Sequence, residues 1–256
     1  MEEGIPLAGA DPNRVAACYP LLPWSNRIGG GGFLFDGQRH AVPRNRDDEP
    51  WPIHGNGWQL PWQVTAQSDA RLRMEAGHDA GSPYHFSAWQ ELQLQADTLR
   101  IVLGVRNDGA LALPFGLGLH PFFVRDVDTW LQAPARAQWR AQAPGQLPDH
   151  TVPVPAEADF GTLRPLPGSC IDHAFEGWPG TARIGWPQRG LALSLASDCT
   201  RYVLYTPVDA GFFCLEPVYH PVNALNLPGG AVAHGMTVLA PSQQLQRWLQ
   251  LRLHVD

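Results

Sequence analysis

Five short segments of this chain set polar or ionisable side chains among aromatic residues, glycine and proline. They are Pro23-Trp24-Ser25-Asn26-Arg27-Ile28, Pro52-Ile53-His54-Gly55-Asn56-Gly57, Gly116-Leu117-Gly118-Leu119-His120-Pro121-Phe122-Phe123, Cys170-Ile171-Asp172-His173-Ala174-Phe175 and Cys214-Leu215-Glu216-Pro217-Val218-Tyr219-His220-Pro221. Carboxylates and imidazoles can exchange protons near neutral pH, and a guanidinium, a carboxylate and an amide can recognise hydroxyl groups. Taken singly, most have a plain structural reading. Arg27 could be a surface charge, His54 beside glycine a turn residue, His120 a hydrogen-bonded core histidine, and Asp172 a loop residue satisfying backbone amides. Glu216 is different. Phe212-Phe213-Cys214-Leu215 before it reads as a buried strand, and a carboxylate at the end of such a strand is costly unless it is paired or used.

Other chemistries fail on their spacing. Gly29-Gly30-Gly31-Gly32 lacks the frame of a phosphate loop, and no helix pattern follows it, so it reads as a glycine-rich turn. No G-x-S-x-G elbow occurs. Glu216 and His220 are four apart, but Pro217 and Pro221 deny them a common helical face, so no metal site is expected. The cysteines at 18, 170, 199 and 214 form no CxxC pair and read as free thiols of a reducing cytoplasm.

The elements that must position these groups are strands. Thr98–Arg106 places Leu99, Ile101, Leu103 and Val105 on one face; Leu191, Leu193 and Leu195 alternate likewise, as do Leu249, Leu251 and Leu253, and Leu92 and Leu94 point inward. Asp36-Gly37 between Phe33-Leu34-Phe35 and His40–Val42 is a hairpin signal. Glycine (26) and proline (25) are spread along the chain, as many short elements joined by turns require. Ser242–Trp248 could form one or two helical turns, and Ala133–Pro155 reads as a long surface loop. In 256 residues with 44% hydrophobic content this predicts an all-β, antiparallel fold of two packed sheets, a single domain over 1–256. With 18 cationic against 24 acidic residues, a nucleic-acid partner is not expected. No apolar run approaches ~18 residues, so no membrane span is expected. The acidic start MEEG does not read as a signal peptide, which points to a cytoplasmic location.

In order and spacing, the five segments resemble the galactose mutarotase (aldose 1-epimerase) family, from Cys18 to the C-terminus. The match consists of Asn26-Arg27-Ile28 before the glycine turn and Phe-Asp-Gly hairpin, Ile53-His54-Gly55, Gly118-Leu119-His120-Pro121-Phe122-Phe123, Ile171-Asp172-His173-Ala174-Phe175 and Leu215-Glu216-Pro217. The resemblance implies a large β-sandwich with a sugar in an open cleft across one sheet. It makes Glu216 the general base and His120 the general acid, with Arg27, His54, Asp172 and Asn26 on sugar hydroxyls. No cofactor is implied, and the small-molecule partner is an aldose. Two departures stand out. Only Met1–Ala17 precede Cys18, so the N-terminal edge of the sandwich is expected to be truncated or rebuilt. Pro207-Val208 also occupy the place where relatives carry an amide. A hexose-6-phosphate mutarotase, a sugar binder without turnover and a glycosidase using Glu216 with Asp172 are the competing readings. Trp24 or Trp58 could offer a flat face to a sugar ring.

Overall fold

The computed structural model describes residues 17–255. Among these, two large antiparallel sheets face each other. The first has seven strands in the order Cys18–Leu21, Gly118–Val124, Phe212–Val218, Arg201–Tyr205, Asp172–Glu176, Ala137–Arg140 and His150–Pro153. The second has nine: Arg164–Pro165, Trp130–Gln132, Thr181–Trp186, Leu191–Ser197, Gln244–Val255, Thr98–Asn107, Phe86–Gln95, Arg71–His78 and Gln63–Ser68. Alternation decides which side chains enter the space between them. Leu119, Phe123, Tyr202, Leu204, Phe213 and Leu215 from the seven-stranded sheet meet Ile101, Leu103, Val105, Ile184, Leu195 and Leu249 from the other in one buried cluster. Burying side chains of this kind contributes roughly 1.5–3 kcal/mol each. The expected two-sheet, all-β architecture is what the chain adopts.

Local expectations fared unevenly. Asp36 and Gly37, both at positive φ, turn the chain between Gly32–Phe35 and Gln38–Ala41 as the hairpin signal requires. Ser242–Trp248 is not helical. Gln244–Val255 runs as a strand in unbroken register with Thr98–Asn107, from Gln244 opposite Arg106 to Arg252 opposite Thr98, and this pairing overrides the helix-like spacing of Leu245 and Trp248. Ala133–Pro155 is not one loop either, because Ala137–Arg140 and His150–Pro153 pair as a hairpin within it. Leu94 and Leu253 share a face with buried leucines but lie past the rim of the core and are exposed. The strand Cys18–Leu21 edges the seven-stranded sheet, and the question of a truncated N-terminal edge falls on residues outside those described. All four cysteines are free. No helix among the described residues is long and apolar enough to cross a membrane.

Candidate functional site

The seven-stranded sheet turns one face away from the core, and its register places the candidate residues there. Tyr19 pairs with His120 across the first two strands. In the next pair Phe212 opposes Val124, Phe213 opposes Phe123, Cys214 opposes Phe122 and Val218 opposes Gly118; continuing that register sets Glu216 opposite His120. Pro121 and Pro217 lack amide protons, which accounts for the gap in the ladder there. Period-two alternation sends Leu119, Phe123, Phe213 and Leu215 to the core, and His120 and Glu216 together to the other side. Beyond Glu216 the same row continues with Val203 and Ala174, and the adjacent row runs Phe122, Cys214, Tyr205 and Asp172.

The acid–base candidates touch. His120 Nε2 lies 3.2 Å from Glu216 Oε1, with side chains only 9% and 4% exposed. Oε2 of Glu216 is buried and has no hydrogen-bond partner among the described residues. Burial, and secondarily the negative charge of Asp172, hold the Glu216 carboxyl well above the usual carboxylate range; Arg27 opposes this. The His120 ring stacks on Tyr19 (centroids 4.4 Å apart, planes at 28°) and on Phe122 (4.7 Å, 21°), and meets His54 edge-on at 5.4 Å.

His54 and Asn26 are set by a tight crossing of two loops. Both have left-handed backbones, and His54 N donates to Asn26 O (2.9 Å) while Asn26 N donates to His54 Nδ1 (3.1 Å). With Nδ1 accepting, the imidazole proton sits on Nε2. Burial first, then the charges of His120, Arg27 and Arg46, push His54 well below its ordinary pKa, so it is a neutral donor. The crossing is possible because residue 55 is glycine: its φ is +67°, and a Cβ there would lie 1.9 Å from Leu22 O. Asn45 clamps the same loop, its side chain donating to Ile53 O and Gly55 O (both 2.7 Å) and accepting from Ile53 N (2.9 Å).

Arg27 is not a surface charge. Its Nε and Nη2 bind Glu49 Oε2 and Oε1 at 2.8 and 2.7 Å, a two-point fork. Asn26 Oδ1 accepts from Arg27 N at 3.0 Å, so this amide braces the loop. His220 also has a structural post, accepting from Ser25 N (3.0 Å) and pairing through Nδ1 with Pro221 O (2.8 Å). Asp172 is exposed at the start of its strand, one row from Glu216, close enough for its charge to act on Glu216 and Arg27. Arg27, His54, His120, Asp172 and Glu216 thus converge, with Asn26 beneath them. Trp24 is 1% exposed and packs on Tyr84, which removes it as a sugar platform, whereas Trp58 is half-buried beside Tyr19. Glu49, Asn45 and Tyr19 were not singled out from the sequence. The first two lie in Arg44-Asn45-Arg46-Asp47-Asp48-Glu49, which looks like a solvated loop, and only its charge density in a chain 16% charged sets it apart.

A carboxylate and an imidazole in this contact can exchange protons with neighbouring atoms of a bound molecule, and the guanidinium, amide and carboxylate around them are groups able to hydrogen-bond hydroxyls. The aldose 1-epimerase family pattern matches residues 7–252. The uncharacterised Escherichia coli K12 protein YphB is 34% identical over 247 residues, covering 93% of this chain and 84% of that protein. A crystal structure of an E. coli K12 protein provisionally assigned as an aldose 1-epimerase superposes with a TM-score of 0.88 at 32% identity, covering 94% of this chain and 84% of that one. A galactose mutarotase-like protein from Clostridium acetobutylicum shares the fold at 17% identity, with a TM-score of 0.78 over 93% of this chain and 79% of that one. An extended β-sandwich whose outward sheet face brings this carboxylate, imidazole and guanidinium together therefore has a family: the chain belongs to the aldose 1-epimerase family.

Proposed function

We propose that the protein interconverts the α and β anomers of an uncharged aldohexose. The observation that carries the proposal is the contact between His120 Nε2 and Glu216 Oε1, 3.2 Å apart with both side chains nearly buried. The two oxygens that must lose and gain a proton share the anomeric carbon, so acid and base have to converge, and these two do. Glu216 takes the proton of the C1 hydroxyl while His120 gives a proton to the ring oxygen. The C1–O5 bond breaks, C1 becomes the aldehyde, and rotation about C1–C2 presents its other face. O5 then attacks C1, returning its proton to His120 as the aldehyde oxygen recovers one from Glu216. Each half moves one proton each way, so the site returns to its starting state with no cofactor. A carboxyl held above its ordinary range is a stronger base once ionised.

Neutral His54, Arg27 and Asp172 bind the remaining hydroxyls. The charge distribution favours an unphosphorylated sugar over a hexose 6-phosphate. Glu216, Asp172 and Glu49 surround Arg27, whose fork Glu49 already fills, and Arg46 is paired with Asp48. A dianionic phosphate would meet three carboxylates and no uncommitted fork. The test is polarimetry on freshly dissolved α-glucose and α-galactose, with a coupled anomer assay on their 6-phosphates. Acceleration of free sugars over buffer supports the proposal; acceleration of the phosphates alone replaces it, and acceleration of neither refutes it.

A further inference from the structure

His220 stands four residues past Glu216, and the fold uses that spacing for something other than a metal. Resting on the epimerase reading, we propose that His220 is a positioning residue. It hangs the Asn26-Arg27 loop from the strand that carries Glu216, and so fixes the sugar-binding cation relative to the base.

The run from Glu216 to His220 is short and stiff. Val218 is paired on both sides, opposite Arg201 and opposite Gly118, and Tyr219 N donates to Leu117 O at 3.1 Å. Pro217 and Pro221 lock φ at either end. The imidazole therefore stands at a fixed offset from the carboxylate.

From there the ring reaches the loop. Nδ1 donates to Pro221 O at 2.8 Å, which leaves Nε2 to accept from Ser25 N, the residue before Asn26, at 3.0 Å. Asn223, three residues on, takes the loop's other side. Its N donates to Arg27 O (3.0 Å) and its Oδ1 accepts from Gly29 N (2.8 Å). One segment, 220–223, thus brackets Asn26 and Arg27, while Glu49 holds the guanidinium itself.

Packing alone does not account for a histidine here. The residue is 2% exposed. Burial pushes its pKa down to about 4, the charges of Arg201 and His234 add to this, and the bond to Pro221 O opposes it. A buried polar ring is costly unless its bonds are made, and an aliphatic side chain would fill the space at less cost. The backbone makes room for the ring all the same: a Cβ on Gly116 would lie 2.1 Å from His220 Cδ2. What an aliphatic side chain cannot supply is a directional acceptor for Ser25 N, which would be left buried and unpaired.

The test measures kcat and KM by polarimetry on glucose and galactose, and hydrogen–deuterium exchange of residues 22–28 in the same proteins without sugar. His220→Leu removes the acceptor. It is expected to raise KM about tenfold with kcat within about twofold, and to speed exchange of 22–28 about tenfold while the Phe212–Val218 strand exchanges as in the parent. His220→Gln places an amide oxygen where Nε2 lies and should recover most of both. A parent-like KM in folded His220→Leu would overturn the proposal, as would a fall in kcat as large as the rise in KM. A glutamine variant as impaired as the leucine variant would overturn it too. Should His220→Leu not fold, His220→Asn replaces it, because its shorter side chain cannot reach Ser25 N; parent-like KM and exchange in that variant would then sink the proposal. If the parent turns over no sugar, the epimerase reading fails and exchange decides the tether by itself. Faster exchange of 22–28 that glutamine reverses keeps the tether, and unchanged exchange removes it.

Discussion

The outward faces of the two sheets solve the problem of charge on a β-surface in opposite ways. On the nine-stranded sheet Arg73 bonds Glu75 at 2.8 Å and also pairs with Glu91, and Arg100 lies 4.6 Å over the Trp248 ring. The Arg73, Glu75 and Glu91 side chains are 38%, 47% and 48% exposed, so water screens every charge and leaves them individually replaceable. On the seven-stranded sheet Glu216 and His120 are nearly sealed, and one carboxylate oxygen has no partner among the described residues. Strand alternation built both faces. Burial converts such a pair from a screened contact into a costly arrangement.

The largest effect is expected at Glu216. Glu216→Gln keeps the shape, removes the proposed base and should lower kcat by at least ~10²-fold in polarimetry, with sugar binding largely retained. It should also change the pH dependence of stability. A carboxyl whose folded pKa is raised binds more protons folded than unfolded, so its contribution falls as pH rises from the unfolded carboxyl range through the folded pKa. Melting temperature against pH should therefore decline less steeply over that window in Glu216→Gln than in the parent. A variant with more than half the parent rate would remove Glu216 as the base.

His120→Asn comes next. Proton delivery to the ring oxygen matters only as the C1–O5 bond breaks, so kcat should fall by ~10²-fold or more with KM little changed. A core histidine without a catalytic task would give the reverse: early melting, and normal turnover in the protein that stays folded.

Glu49→Gln probes a charge pair of intermediate burial. The fork to Arg27 fixes the guanidinium against the site, so its loss should raise KM about tenfold and leave kcat within about twofold, much as Arg27→Ala should. Combining the two should cost less than their sum, because both remove one interaction. Additive effects on KM would separate Glu49 from Arg27.

Much of this was legible in the sequence, for reasons that also mark where legibility stops. Period-two runs such as Leu99 to Val105 expose strands, because one face of each must be apolar. Two such alternations, through Leu119–Phe123 and Phe213–Leu215, are enough to put His120 and Glu216 on one side. Asn26, Arg27, His54 and Asp172 came from motif resemblance, and the fold brings them together. Glu49 and Asn45 were hidden because they act through geometry across a loop, and their segment has the composition of any solvated turn. The start of Gln244–Val255 has helix-like spacing in the sequence because the strand that fixes it, with Arg106 opposite Gln244, lies some 140 residues away.

Asp172→Asn sharpens the electrostatic side of the comparison. The Asp172 charge raises the Glu216 pKa, so removing it should move the ascending limb of kcat against pH to lower pH, the direction opposite to that expected from greater burial. KM should rise as well if Asp172 binds a hydroxyl. A limb that does not move would show that burial alone sets the base.

The smallest effect is expected on the far sheet. Arg73→Gln removes a guanidinium that contacts two carboxylates and lies 5.8 Å over the Trp89 ring, so by a count of contacts it should matter more than Glu49. Exposure reverses that ranking. Each Arg73 pair trades a screened attraction for the entropy of holding long side chains still, and glutamine keeps most of the aliphatic stem over Trp89. Denaturant unfolding should therefore shift by no more than about 0.5 kcal/mol, and the rates on every sugar should stay within error of the parent. A loss of ~2 kcal/mol, the scale of a broken buried interaction, would mean that this face is covered in solution. The contrast between a sealed and an open sheet face would then have to be redrawn.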